Sequence, residues 1–248
     1  MKLKRIFFTD SYTEKIARKI STRFDLDSNL LRIKNPTFRL WASKLFRRGG
    51  ADTNRWTQLT PGSLLIGGNR WRHHFATYLT RLPIVSIDAH TDMSFDEMII
   101  LRLIRPYNWL YYRLLEGLET HLILPYDSFR FKRWDIAVPA EYAGKFHLYA
   151  FKRSRARVPV TISLLRSLMV DVDDPETSPL LEKRGKQISI DLDITREIPE
   201  EQVTRLLKRV ASEEDVLDIW LDEGKKKRRG LADDIETCMK ICEAINYS

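Results

Sequence analysis

The sequence predicts an α/β protein, a three-layer α/β/α sandwich built around a mainly parallel sheet. Three observations carry that expectation. Short runs rich in Ile, Val and Leu recur along the chain, at residues 63–66, 83–87, 187–190 and 216–221. Amphipathic stretches of helical length alternate with them, and such alternation implies crossover connections between parallel strands. Three apolar runs stop at polar clusters: Gly67-Gly68-Asn69, Asp88-Ala89-His90-Thr91-Asp92 and Asp191-Leu192-Asp193. In open parallel sheets, ligands bind outside the carboxyl ends of the strands, where all three clusters would lie.

Taken in order, residues 4–8 read as a first strand. Ser11-Tyr12-Thr13-Glu14 has the spacing of a capping box and opens a helix to about residue 23. Residues 25–60 are mixed and polar, with Pro36, Gly49, Gly50 and Asn54 marking loops. After the strand at 63–66, Asn69 can cap a helix over 70–81. The strand at 83–87 runs straight into Asp88, and residues 97–118, rich in Leu and aromatics, read as a helix. Residues 121–150 look like short strands broken by Pro125, Pro139 and Gly144, whereas 160–169 alternates less clearly. The strand at 187–190 ends in Asp191. Pro199 opens a helix to about residue 211, 216–221 is a strand ending at Asp222-Glu223, and a last helix covers 232–245. No repeat or low-complexity tract divides the chain, so 1–248 reads as one α/β domain.

Composition narrows the function classes. A chain of 248 residues, 43% apolar, can bury a substantial core. No run approaches the roughly 18 apolar residues of a membrane span. The N-terminus is basic then apolar but reaches Asp10 at once, too short for a signal peptide, so the expected location is cytoplasmic. Cys238 and Cys242 sit four apart, on one helix face, and read as small apolar residues rather than zinc ligands. The net charge of +8 is scattered, with local runs at Arg47-Arg48, 152–157 and 225–229. These read as solvated loops, and nucleic acid is not the favoured partner. Abundant Arg, Lys, Glu and Ile hint at a thermophilic source.

The polar clusters point to a metal. Alternation along an extended segment puts Asp88, His90 and Asp92 on one side, and likewise Asp191 and Asp193. Four carboxylates so close would repel strongly unless a cation neutralised them. Carboxylate with imidazole suits Mn²⁺, Zn²⁺ or Fe²⁺, and such an ion lowers the pKa of bound water. A rival acidic cluster, Asp171-Val172-Asp173-Asp174-Pro175, follows a poorer strand and reads as a solvated turn.

The motifs resemble those of a known family. Ser86-Ile87-Asp88-Ala89-His90-Thr91-Asp92 resembles the D-A-H-x-D motif of the arginase and agmatinase ureohydrolases. Ser189-Ile190-Asp191-Leu192-Asp193 resembles their S-x-D-x-D motif, and Ile66-Gly67-Gly68-Asn69 the start of their G-G-D-H motif. The order along the chain agrees as well. The resemblance implies the arginase/deacetylase fold and a metal-dependent hydrolase of a C–N bond, with metal-bound hydroxide as nucleophile and a small-molecule substrate. Manganese is the first expectation, with zinc or iron as alternatives.

Departures from the family pattern modify the expectation. Asn69-Arg70 stand where the family has Asp-His, and Ile194-Thr195-Arg196 stand where it continues to another Asp. Carried over, one metal position keeps Asp88, His90, Asp191 and Asp193. The other keeps Asp88, Asp92 and Asp191, so one ion or two could bind. His73 or His74 could supply the missing imidazole, or act as acid and base as the tandem His pair does in the related deacetylases. Asp222-Glu223 could meet a guanidinium. The alternatives are a deacetylase-type amide hydrolase, or a degenerate member that binds an anion, nucleic acid or protein without turnover.

Overall fold

The computed structural model describes residues 1–31, 59–68, 80–93, 109–125, 138, 140–151, 169–174, 178–221 and 230–246. Its framework is a nine-stranded sheet in the order β2-β1-β3-β9-β8-β4-β5-β6-β7. The strands are β1 Arg5–Phe8, β2 Asp27–Leu30, β3 Ser63–Gly68, β4 Ile84–Ile87, β5 Thr120–Pro125, β6 Phe146–Phe151, β7 Met169–Asp171, β8 Gln187–Asp191 and β9 Val216–Leu221. Every pairing between them is parallel. The helices are α1 Ser11–Phe24, α2 Trp109–Leu115, α3 Ser178–Leu181, α4 Ile194–Glu197, α5 Glu200–Val210 and α6 Leu231–Asn246. A 3-10 helix, Ala140–Lys145, leads into β6.

Strand alternation sorts the apolar residues into two faces. On one, Ile6, Leu64, Val85, Ile87, Ile123, Ile188, Ile190, Leu217 and Ile219 pack with α1, α5 and α6. The helices present matching stripes: Ile16, Ala17 and Ile20 on α1; Val203, Leu206, Leu207 and Val210 on α5. Cys238 and Cys242 belong to this core on α6, and burial pushes the Cys242 thiol pKa up. On the other face, Ile84, Leu122, Leu124 and Leu148 pack against Trp109, Leu110 and Leu114 of α2, while Phe7, Leu65 and Trp220 form a second patch. Gly67 belongs to that patch for a steric reason. A Cβ there would stand 2.3 Å from the Trp220 ring, so only glycine lets the indole lie across β3.

The chain winds outward from β1 to its neighbours, jumps to β4, proceeds to β7, then returns to fill the gap with β8 and β9. β4 and β8 therefore lie side by side although about a hundred residues separate them in sequence, with Ile87 opposite Ile190. Asp88 and Asp191 are the next residues on each, and both motifs open at one point on the carboxyl edge.

Some elements differ from the sequence expectation. The first helix is capped one residue earlier, by Asp10. Its Oδ1 accepts the N–H groups of Tyr12 and Thr13, while Thr13 Oγ1 accepts the Asp10 N–H. The box is Asp-x-x-Thr rather than one beginning at Ser11. The polar stretch after residue 25 contains β2, an edge strand whose residues are mostly exposed and so lack apolar alternation. Of the helix expected over 97–118, residues 97–108 lie outside the described residues; the described part is Trp109–Leu115, and Gly117 at φ 77° lies just beyond its end. Residues 70–79 of the helix expected over 70–81 fall outside the described residues, as does the alternation at 160–168.

Candidate metal centre

β4 stops at Ile87 and the chain turns at once. Asp88, with no exposed surface, folds its Oδ1 back onto the His90 N–H at 2.8 Å. β8 ends the same way: Asp191 Oδ1 accepts the Asp193 N–H at 3.2 Å. Both are side-chain turns of the kind Asp favours, and they replace the extended alternation expected for these segments. The two turns are tied together, because Asp193 Oδ1 accepts the Ala89 N–H at 3.3 Å. Asp193 then starts α4, whose Ile194 is buried in the core.

The turns bring three ligating groups to one point. His90 Nδ1 lies 2.8 Å from Asp193 Oδ2 and 3.6 Å from Asp88 Oδ1. One donor atom from each of Asp88, His90 and Asp193 falls within 4.8 Å of the others. The carboxylates are buried and the imidazole is exposed, so the cluster has a protein floor and a solvent-facing rim. Hydrogen bonds and charge from Asp193, then Asp88, raise the His90 pKa from 6.5 to about 11. Two carboxylates thus favour a positive charge where they meet the imidazole, and a divalent ion would suit the same place.

The other aspartates are held differently. Asp191 is buried at the end of β8, one residue from Leu192, whose N–H bonds to Trp220 O on β9. Asp92 takes a left-handed backbone, φ 49°, and its Oδ2 accepts the indole N–H of Trp109 on α2. His73, His74, Asp222 and Glu223 lie outside the described residues. The rival cluster is a turn after the edge strand β7, where Asp171 Oδ1 accepts the Asp173 N–H at 3.1 Å.

A buried polar layer beneath the centre was not anticipated. Asp218, in the middle of β9, accepts bonds from Ser189 Oγ at 2.6 Å, Gln187 Nε2 at 2.7 Å and the indole N–H of Trp220. Thr80 Oγ1 extends it by donating to Gln187 Oε1 at 2.7 Å. The signal was an aspartate inside the apolar run Val216-Leu217-Asp218-Ile219-Trp220-Leu221. A carboxylate there must be satisfied by neighbouring strands.

Comparison of the sequence with protein-family models and with curated proteins finds no match. Solved structures do match. Proclavaminate amidino hydrolase from Streptomyces clavuligerus aligns with a TM-score of 0.51 at 13% identity, over 99% of this chain and 92% of that one. Arginase from Bacillus subtilis gives 0.45 at 9% identity, covering 100% and 99%. Agmatine ureohydrolase of Thermoplasma volcanium gives 0.42 at 15% identity, covering 98% and 91%. The first of these likenesses is one of fold, and it agrees with the resemblance carried by the two aspartate motifs.

Proposed function

We propose that this chain, which has the ureohydrolase fold, is a divergent metal-dependent hydrolase of a C–N bond in a small-molecule substrate. One observation carries the reading: Asp88, His90 and Asp193 converge at the carboxyl edge, with ligand atoms within 4.8 Å of one another. Two carboxylates and an imidazole suit a borderline or hard divalent ion, with manganese first and zinc or iron as alternatives. Asp191, buried at the end of β8, is proposed as a further ligand. An ion held there would lower the pKa of a water and polarise the carbon under attack. The protein's own contribution is to fix the ligands by the two side-chain turns and the Ala89–Asp193 bond, and to keep the carboxylates buried on one side.

Asp92 is proposed to serve only a second, weaker ion, because one of its oxygens already takes the Trp109 indole. The replacement of the family's Asp-His by Asn69-Arg70 favours the same single-ion stoichiometry. β9 ends at Leu221 beside β8, and Asp222-Glu223 follow in sequence. Their acidity would suit a guanidinium group, and His73 or His74 is proposed as acid and base. A catalytically degenerate binding protein is the second reading, favoured by the missing histidine and aspartate.

Elemental analysis of protein purified without chelator tests the centre, followed by a screen of the manganese-loaded protein for urea or amine release from guanidino compounds. The expected results are about one tightly held ion and turnover of a guanidinium substrate. Bound metal without turnover on guanidino or acylated amine substrates supports the degenerate reading. Absence of metal, with no Mn²⁺ uptake on titration, overturns both the centre and the hydrolase.

A further inference from the structure

A second group of ligating side chains lies at the opposite, amino end of the sheet. Glu119 ends the turn before β5, and its carbonyl accepts the Ile84 N–H. His121 on β5 stands in register with His147 on β6. Their rings stack, with centroids 4.7 Å apart and planes 18° from parallel. The His121 side chain is 2% exposed, while those of His147 and Glu119 reach solvent at 24% and 21%.

The geometry is directed. His121 Nδ1 and the hydroxyl of buried Tyr149 are 3.0 Å apart, and this contact sets the ring so that Nε2 faces Glu119. Nε2 of His121 is 3.4 Å and Nε2 of His147 is 3.6 Å from the same oxygen, Glu119 Oε1. The three ligand atoms lie within 4.8 Å of one another. Both N···O separations exceed the about 2.7–3.2 Å of an ordinary N–H···O bond. They fit a small ion better: donors about 2.05 Å from tetrahedral zinc stand roughly 3.3 Å apart along each edge. The supporting contacts also suit a ligand set. A ligating imidazole ordinarily has its second nitrogen engaged, as Tyr149 engages His121 Nδ1. By contrast, Lys183 Nζ holds the other carboxylate oxygen, Oε2, at 2.6 Å.

We propose that Glu119, His121 and His147 form a second divalent transition-metal site, of zinc type, with solvent completing the shell on the exposed side. Two imidazoles and a carboxylate select zinc over calcium or magnesium, which prefer all-oxygen shells. The ion would tie β5 and β6 to the turn that precedes them. It is independent of the aspartate centre, since the two groups sit at opposite ends of the strands. Lys183 is its competitor, because its ammonium holds an oxygen that the ion could otherwise share.

The test is calorimetric titration of Zn²⁺ into the full chain carrying Asp193→Asn, so that the aspartate centre does not report. One equivalent is expected to bind. Adding His147→Gln should weaken that binding at least tenfold, and adding Lys183→Met should tighten it, since Glu119 is then free to offer both oxygens. Should His147→Gln fail to fold, Lys183→Met decides alone, its side chain being half exposed. No Zn²⁺ uptake by the Asp193→Asn protein, or uptake that Lys183→Met leaves unchanged or weakens, overturns the proposal.

Discussion

At the amino end of the sheet, Asp215 is completely buried and is met by Lys186 Nζ at 2.8 Å and by the N–H groups of Lys186 and Ser212. Lys186 spends its remaining donors on the carbonyls of Lys183 and Val210. Burial lowers the Lys186 pKa, and the bond to Asp215 opposes that shift. At the carboxyl end, Asp88 and Asp193 are almost as deeply buried, but the group set between them is the exposed imidazole of His90. The same raw material, an aspartate at the end of a central strand, is thus used in two ways. At Asp215 the counter-charge belongs to the chain and its bonds are complete. At Asp88 and Asp193 the partner is an imidazole, itself a group able to ligate, and under the proposed function all three would turn to an ion from solution.

The largest effect is expected where the pair is closed. Lys186→Met leaves Asp215 buried without its ammonium, and breaking a buried ion pair from one side costs on the order of 3–5 kcal/mol. Urea denaturation should show that loss, and added Mn²⁺ should not restore it. A loss below about 1 kcal/mol would mean that solvent reaches Asp215, and the contrast between the two ends would fail.

The next effect is the ion itself. Binding to the native state alone adds RT ln(1 + [L]/Kd), so Mn²⁺ at a hundredfold excess over Kd should add about 2.7 kcal/mol. Thermal melts should rise with Mn²⁺ and fall with chelator in the wild type. Asp193→Asn and Asp191→Asn should melt at nearly the same temperature with either. An undiminished shift in Asp193→Asn would place the ion elsewhere, and the carboxyl end would lose its distinction.

How much of this was legible in the sequence follows from how local each signal is. The change from Ile87 to Asp88, or from Ile190 to Asp191, is written in adjacent residues, so strand ends and motifs could be read directly. Their place on one carboxyl edge was expected from the parallel sheet, whereas their side-by-side position depends on β8 inserting beside β4, which no adjacent residues record. The turns at His90 and Asp193 were misread as extended alternation. Periodicity does not show where a strand stops, whereas an Asp side chain bonding to the N–H two residues on ends it. β2 was invisible because a polar edge strand has no buried face. Asp218, and the group Glu119, His121 and His147, were missed because each is assembled by register between strands. Of the expected catalytic residues, His73, His74, Asp222 and Glu223 lie outside the described residues.

Asp218 allows a finer test, since it lies between the two ends and accepts bonds from the neutral donors of Ser189, Gln187 and Trp220. Asp218→Asn keeps the shape but turns an amino group toward Ser189, Gln187 or Trp220, all of which donate to it now. A buried mismatch of this kind costs about 1–3 kcal/mol. Denaturant midpoints should record it. If the polar layer supports the centre above it, Mn²⁺ affinity should weaken in the same variant.

The smallest effect is expected at Asp92, and its smallness is informative. The backbone there is left-handed, at φ 49°, a conformation that Asn tolerates as well as Asp does. The Asn side-chain carbonyl can still accept the Trp109 indole N–H that Asp92 accepts now. Asp92→Asn therefore removes a charge while keeping the turn and the bond, and stability should change by less than about 0.5 kcal/mol. The Mn²⁺-dependent rise in the melt should survive, in contrast to its loss in Asp191→Asn. If Asp92→Asn abolishes the rise, Asp92 is a ligand of the retained ion, the single-ion assignment is wrong, and the centre must hold its metal from the Asp92 side.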